Sequence, residues 1–129
     1  VSSQDELFEV CDIVSLHIPA TAETRQSINY DLVKKLKKGG ILVNTARKEV
    51  IDEEGLITLL KERTDLKYVT DIKPDADEVF AAEFPNRYFT TPKKMGAQTA
   101  EANVNAGIAA ARQIVAYIQD GVTKFQVNK

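Results

Sequence analysis

Four short apolar runs rich in β-branched residues recur along this chain, separated by longer stretches with a helical period. The runs occupy residues 12–18 (DIVSLHI), 40–46 (GILVNTA), 67–72 (KYVTDI) and 87–92 (RYFTTP). This alternation is typical of βαβ units, whose strands form a parallel sheet and whose helices cover it. The sequence therefore predicts an α/β fold with a four-stranded parallel sheet and flanking helices.

Helix-start and helix-stop signals stand between the runs. Three helices are predicted there, over residues 30–38, 53–63 and 76–84. Asn29 and Asp52 precede the first two, and their side-chain oxygens can accept hydrogen bonds from the free N–H groups of a first turn. Gly39 can end the first helix, because glycine tolerates the left-handed backbone of a helix C-terminus.

The last apolar stretch predicts one long helix, from Thr99 to about Gln119, which Gly121 ends. Its apolar positions extend around much of the circumference, so the helix should pack on more than one surface. We therefore expect a sheet domain at residues 1–97 and a helix with a tail at 98–129. One face of the helix should be exposed or covered by another chain.

Charge and cysteine content narrow the range of partners. The net charge is −2 with both signs mixed, which gives no basic stripe of the kind that binds nucleic acid. No apolar run approaches the roughly 20 residues that a membrane helix needs. The single cysteine, Cys11, cannot form an internal disulfide, and no signal segment opens the chain. We expect a cytoplasmic protein with no nucleic-acid, membrane or metal partner.

Polar and charged residues stand at the end of each apolar run. They are His17 with Pro19, Asn44 to Arg47, Asp71, and Lys93 with Lys94. Each alone is more often a structural or solvated residue. Because ligands of parallel α/β sheets bind beyond the carboxyl ends of the strands, four such groups at one edge favour a binding site there.

Four segments together resemble, in order and spacing, the second half of the cofactor domain of the NAD-dependent D-2-hydroxyacid dehydrogenases. They are SLHIPATAETRQSI, GILVNTARKEVIDEEGL, VTDI and TPKKMGAQTAEAN, between about Asp12 and Asn103. Within that family the similarity is greatest to members that oxidise 3-phosphoglycerate and carry lysine where most have a catalytic histidine. The resemblance implies half of a Rossmann-type NAD-binding domain, a homodimer, and hydride transfer between NAD and a small 2-hydroxy or 2-keto acid. For the most similar members the product is 3-phosphohydroxypyruvate, in serine biosynthesis.

The same resemblance assigns roles at the sheet edge. The implied cofactor-binding residues are His17, Ile18, Pro19, Thr45, Ala46, Arg47, Asp71 and Gly96. Arg47 would also pair with the substrate carboxylate, for which a planar, permanently charged guanidinium is suited. Asp71 would hold the nicotinamide carboxamide, while Thr45 and Ala46 would line the ring through their backbone.

The implied proton carrier is a lysine, and two candidates remain open. Most members have Thr-Pro-His-Ile-Gly where this chain has the longer Thr-Pro-Lys-Lys-Met-Gly. Counting from Thr91 and Pro92 gives Lys93, which we favour, whereas counting back from Gly96 gives Lys94. A lysine ammonium can protonate the alkoxide that forms when a keto acid is reduced, and the neutral amine can remove that proton in the reverse direction.

Two further departures from the family concern neighbouring loops. The glutamate that normally orients the histidine has no clean counterpart in DIKPDADE, although Asp75, Asp77 or Glu78 could serve, with Asp77 as our catalytic candidate. A lysine has no tautomer to fix and could also function without an orienting acid. Lys48 replaces a glycine that commonly follows the arginine, so the turn there could differ.

Some expected parts are missing from the sequence. No Gly-x-Gly-x-x-Gly is present, nor the acid about 20 residues later that holds the ribose. We expect both upstream of Val1, together with most of a substrate domain to which the long helix would return, and we expect this piece alone to be inactive. The alternatives are a dehydrogenase for another D-2-hydroxy acid, an NAD(H)-sensing regulatory protein similar to the related corepressors, and an unrelated doubly wound domain.

Overall fold

The computed structural model of the chain describes residues 1–92 and 99–127. The described residues form two compact units, one on each side of the gap. The elements of the first unit are α1 (Gln4–Val10), β1 (Ile13–Leu16), α2 (Tyr30–Val33), β2 (Ile41–Asn44), a 3₁₀ helix (Lys48–Val50), α3 (Glu53–Glu62), β3 (Lys67–Thr70), α4 (Asp77–Glu83) and β4 (Tyr88–Thr90).

The four strands form one parallel sheet in the order β1-β2-β3-β4. The predicted α/β class with flanking helices is thereby confirmed. Because each connection advances by one strand, right-handed crossovers place the connecting helices on the same face of the sheet. All four strands therefore end at one edge, which is where ligand sites of parallel sheets lie.

Alternate residues of the strands face opposite sides, and only one side is well covered. Val14, Leu42 and Tyr68 are adjacent in the register and are buried with the apolar side chains of the helices. On the opposite side Ile13 and Phe89 are each 59% exposed. The sheet of this unit thus has one buried face and one largely open face.

The α-helix predicted over residues 30–38 is shorter than expected and ends at Val33. Beyond it the backbone continues in tighter turns, in which Lys35 and Leu36 donate to carbonyl groups three residues earlier. Arg63 supplies a physical reason, because its guanidinium donates to three backbone carbonyl groups of this segment. Only the first of them, that of Lys34, would have an intrahelical partner in a helix over residues 30–38. The strands are likewise shorter than the apolar runs that predicted them.

The second unit contains α5 (Ala100–Asp120) and a short tail. The Thr99 hydroxyl accepts from the Ala102 N–H, and Gly121, at a φ of 64°, ends the helix in the left-handed conformation. The predicted long helix is therefore confirmed. None of its residues is buried within this unit, and the expectation that one face is exposed or covered by another chain stays a prediction. Within residues 1–92 and 99–127 no helix is long and apolar enough to cross a membrane.

Candidate active site

A cleft of about 560 Å³ opens where β1 and β2 end. Its lining residues are His17, Ile18, Pro19, Ala20, Thr45, Ala46 and Arg47. The fold thus brings together the predicted site residues of the first two apolar runs. These residues are at least 26 positions apart in the sequence, but they follow strands that are neighbours in the sheet. Pockets that hold small ligands run from roughly 300 to 1,000 Å³, so the cleft can accommodate part of a dinucleotide or a small acid.

Arg47 stands on a tight turn that Asn44 closes. The buried Asn44 side chain donates from Nδ2 to the Arg47 carbonyl oxygen at 2.9 Å, and its Oδ1 accepts from the Ala46 N–H at 3.0 Å. The Arg47 side chain is exposed, and one guanidinium nitrogen donates to the Ala46 carbonyl oxygen at 2.8 Å. The Arg47 backbone is therefore held by a hydrogen bond from Asn44, and Arg47 itself lines the cleft.

Asp71 lies at the same sheet edge, directly after β3. Its N–H donates to the carbonyl oxygen of Asn44 at 3.2 Å, and its carbonyl accepts from the Thr91 hydroxyl at 3.4 Å. These contacts join the ends of the second, third and fourth strands. His17 lies after β1 and is exposed, with its Nε2 2.9 Å from the Ser15 hydroxyl.

Asp77, the predicted orienting acid, contacts other groups in the structure. Its carboxylate accepts from the Tyr88 hydroxyl at 2.6 Å and lies 3.0 Å from the Lys73 ammonium. The hydrogen bond from Tyr88, and then that from Lys73, lowers the pKa of Asp77. Burial, and then the same hydrogen bond, raises the pKa of Tyr88. The Asp77 carboxylate, at the start of α4, is thus already paired with Tyr88 of β4 and with Lys73, and its catalytic role stays a prediction.

Lys93, Lys94 and Gly96 lie outside the described residues, so their predicted roles rest on the sequence. In the described ranges no group of three or more histidine, cysteine or acidic residues could hold a metal ion. The sequence places Asn44 at the sheet edge but indicates no role for it, because an asparagine that ends an apolar strand does not show which backbone groups it will bind.

The cleft can be tested for its fit to a nicotinamide dinucleotide. It combines apolar lining from Ile18, Pro19 and Ala46 with polar groups from His17 and Arg47. This mixture suits a ring and ribose bound beyond the strand ends. The residues present therefore fit one part of the cofactor, whereas the chain has no glycine-rich phosphate loop for the other part.

The chain is similar in sequence to known NAD-dependent dehydrogenases. Residues 1–92 match the family model described as D-isomer specific 2-hydroxyacid dehydrogenase, NAD binding domain. A D-3-phosphoglycerate dehydrogenase of Haemophilus influenzae is 37% identical, with 99% of this chain aligned to 32% of that protein. A hydroxypyruvate reductase of Thermotoga maritima is 36% identical over 85% of this chain and 37% of its own length.

A solved structure of a related enzyme has the same fold. The NAD⁺-bound 3-phosphoglycerate dehydrogenase of Entamoeba histolytica superposes with a TM-score of 0.84 and 55% sequence identity, covering 100% of this chain and 42% of that one. The chain therefore spans less than half the length of each of these relatives.

Proposed function

Since the chain belongs to the D-isomer specific 2-hydroxyacid dehydrogenase family, in which its residues 1–92 match the NAD-binding domain, we propose that it forms the second half of that domain in a longer NAD-dependent dehydrogenase. The proposed reaction is the oxidation of 3-phosphoglycerate to 3-phosphohydroxypyruvate in serine biosynthesis. The observation that carries the proposal is the cleft at the sheet edge, which unites Arg47 with His17, Pro19 and Thr45. The relatives named 3-phosphoglycerate dehydrogenase support the choice of substrate.

The chain's own residues would bind and orient the reactants. Bound NAD would supply the acceptor for a hydride from the substrate's second carbon, and NADH the donor in the reverse direction. The Arg47 guanidinium would hold the substrate carboxylate through two parallel N–H donors. Asp71 would accept from the carboxamide N–H of the cofactor, and the backbone at Thr45 and Ala46 would lie along its ring.

The hydroxyl proton must leave as the hydride departs. We assign its removal to Lys93 or Lys94, in the neutral amine form, with the ammonium returning it during reduction. Cations close to one another lower the pKa of a lysine and so increase the share of neutral amine. Asp77 keeps its proposed orienting role only if the Tyr88 hydroxyl and Lys73 release part of its carboxylate.

The proposal is tested by incubating the longer polypeptide with NADH and each of several 2-keto acids and following the loss of NADH absorbance. We expect 3-phosphohydroxypyruvate to give the highest kcat/KM, above hydroxypyruvate and glyoxylate. A preference for another keto acid would leave a dehydrogenase but overturn the substrate assignment. NADH binding without turnover of any keto acid would favour the NAD(H)-sensing regulatory protein.

We further propose a cytoplasmic homodimer, in keeping with the family resemblance. Sedimentation of the longer polypeptide checks the dimer, because a monomer at micromolar concentration would contradict it. Fractionation of cells that express the protein checks the location.

A further inference from the structure

Two contacts attach the loop after β3 to the segment that carries Arg47. Glu53, the first residue of α3, accepts from the Asp75 N–H at 3.0 Å with one carboxylate oxygen and from the Ala76 N–H at 2.8 Å with the other. Lys48 forms an ion pair with the Asp75 carboxylate. The loop after β3 is therefore joined to the first residue of the 3₁₀ helix that follows Arg47 and to the first residue of α3.

The Glu53 contact is the stronger of the two. Both of its hydrogen bonds are charge-assisted, and their donors are the backbone N–H groups of two consecutive residues. The Lys48–Asp75 pair is more exposed, with 78% of the Asp75 side chain accessible, and such pairs are screened by solvent and cost side-chain entropy. Glu53 is thus the main link, and Lys48 supports it.

Glu53 and Arg47 are connected by a short stretch of backbone, which contacts from Asn44 and Lys48 hold in place. Asn44 holds the Arg47 carbonyl oxygen on one side. On the other side Lys48 begins the 3₁₀ helix that leads to α3 and Glu53. Lys48 does not have a positive φ, so the turn needs no glycine and a lysine side chain is available for the contact. The loop after β3 therefore braces the far end of the Arg47 turn.

We propose that Glu53 is a positioning residue for the substrate-carboxylate site: by holding the Asp75 and Ala76 backbone it fixes the segment between Arg47 and α3, and with it the direction of the guanidinium. This inference rests on the proposed function, since it takes Arg47 as the carboxylate-binding group. Glu53 itself touches neither substrate nor cofactor. Its effect is on how well Arg47 is aimed at a bound 2-keto acid.

The test compares Glu53→Ala with Glu54→Ala in the longer dehydrogenase. Glu54 follows in the same first turn of α3 and is exposed, so its loss removes the same charge from the helix start. We expect Glu53→Ala to raise KM for the keto acid on the order of tenfold with a smaller change in kcat and an unchanged Kd for NADH. Glu53→Gln, which keeps one carbonyl acceptor, should recover part of the loss, and Glu54→Ala should behave as wild type.

Hydrogen exchange in the same proteins gives a readout independent of activity. The amides of Asp75 and Ala76 should exchange faster in Glu53→Ala than in wild type or Glu54→Ala. Unchanged exchange would overturn the proposal, and so would faster exchange with an unchanged KM. A wild-type protein that neither binds nor turns over any 2-keto acid contradicts the proposed function, and the positioning role with it. Intact wild-type turnover with Glu53→Ala equal to Glu54→Ala contradicts the positioning role alone.

Discussion

At the scale of single residues, Arg47 combines a fixed backbone with an exposed side chain. A guanidinium can donate two parallel hydrogen bonds to a carboxylate, whereas a lysine ammonium is a point charge without that geometry. Arg47→Lys in the longer dehydrogenase should therefore raise KM for the keto acid by roughly tenfold or more, the loss of about one charged hydrogen bond. Steady-state kinetics measure this change in KM. An unchanged KM would show that Arg47 does not bind the substrate carboxylate.

Lys93 and Lys94 act as matched controls for each other. Replacing the proton carrier by alanine should lower kcat by roughly 10²- to 10⁴-fold, whereas replacing its neighbour should cost far less. The rate of oxidation should rise with pH through a lysine pKa, since the neutral amine is the base, which places the optimum on the alkaline side. Rate–pH profiles of both variants separate the two candidates. Near-normal rates in both variants would show that neither lysine carries the proton, and His17 or water would then be the next candidate.

The sequence identifies some site residues and misses others for a physical reason. His17 and Arg47 could be found because they follow apolar runs, and parallel strands end at a common edge. Asn44 and Glu53 could not be assigned roles, because their side chains bind backbone groups. In the case of Glu53 those groups are 22 and 23 positions away in the chain, and no local pattern encodes which N–H a carboxylate will reach.

At the scale of elements, the turn between α2 and β2 depends on a cluster from the far end of α3. Arg63 donates to the α2-side carbonyl groups and pairs with Asp65, whose carboxylate also accepts from the Gly39 N–H at 2.8 Å. Local periodicity predicted a helix over residues 30–38 because it contains no information about this distant guanidinium. The α-helix ends at Val33, and Arg63 binds carbonyl groups of the segment that follows it.

Asp65 gives this cluster a pH dependence. The hydrogen bond from Arg63, and then that from Gly39, holds the pKa of Asp65 well below its usual range. A carboxyl group with a lowered folded pKa stabilises the fold above its unfolded pKa, about 3.9, and this stabilisation is lost as pH falls through the folded value. Asp65→Asn should therefore lower Tm at pH 7, on the order of a few degrees, with a gap to wild type that narrows below about pH 4.

Thermal unfolding followed by circular dichroism, from about pH 2 to about pH 7, checks this expectation. Asp31→Asn is the control. Asp31 pairs with Lys34 on the exposed helix surface, where ion pairs contribute little, so its variant should stay close to wild type. A gap for Asp65→Asn that does not change with pH would show that the carboxylate charge is not what stabilises the turn.

At the scale of the whole molecule, the sequence predicts the strand order and the parallel pairing, but not which face of the sheet is covered. Strand order and parallel pairing follow from the alternation of β runs and helices, because short right-handed crossovers leave few topologies. The open side of the sheet, with Ile13 and Phe89 exposed, could not be anticipated, since periodicity does not show whether a second layer is present.

The strand order also bears on how the protein is made. Each strand pairs with the one synthesised just before it, as Ile13 with Ile41 and Ile41 with Lys67. At roughly 5–20 residues per second, each new strand follows its partner from the ribosome within a few seconds. We expect β1, β2 and β3 to pair in a nascent chain stalled before β4 is exposed, seen as protected amides in pulse-labelled hydrogen exchange. Absence of protection until β4 emerges would contradict such stepwise folding. In stepwise folding, each of these strands can pair as soon as the next one has been synthesised.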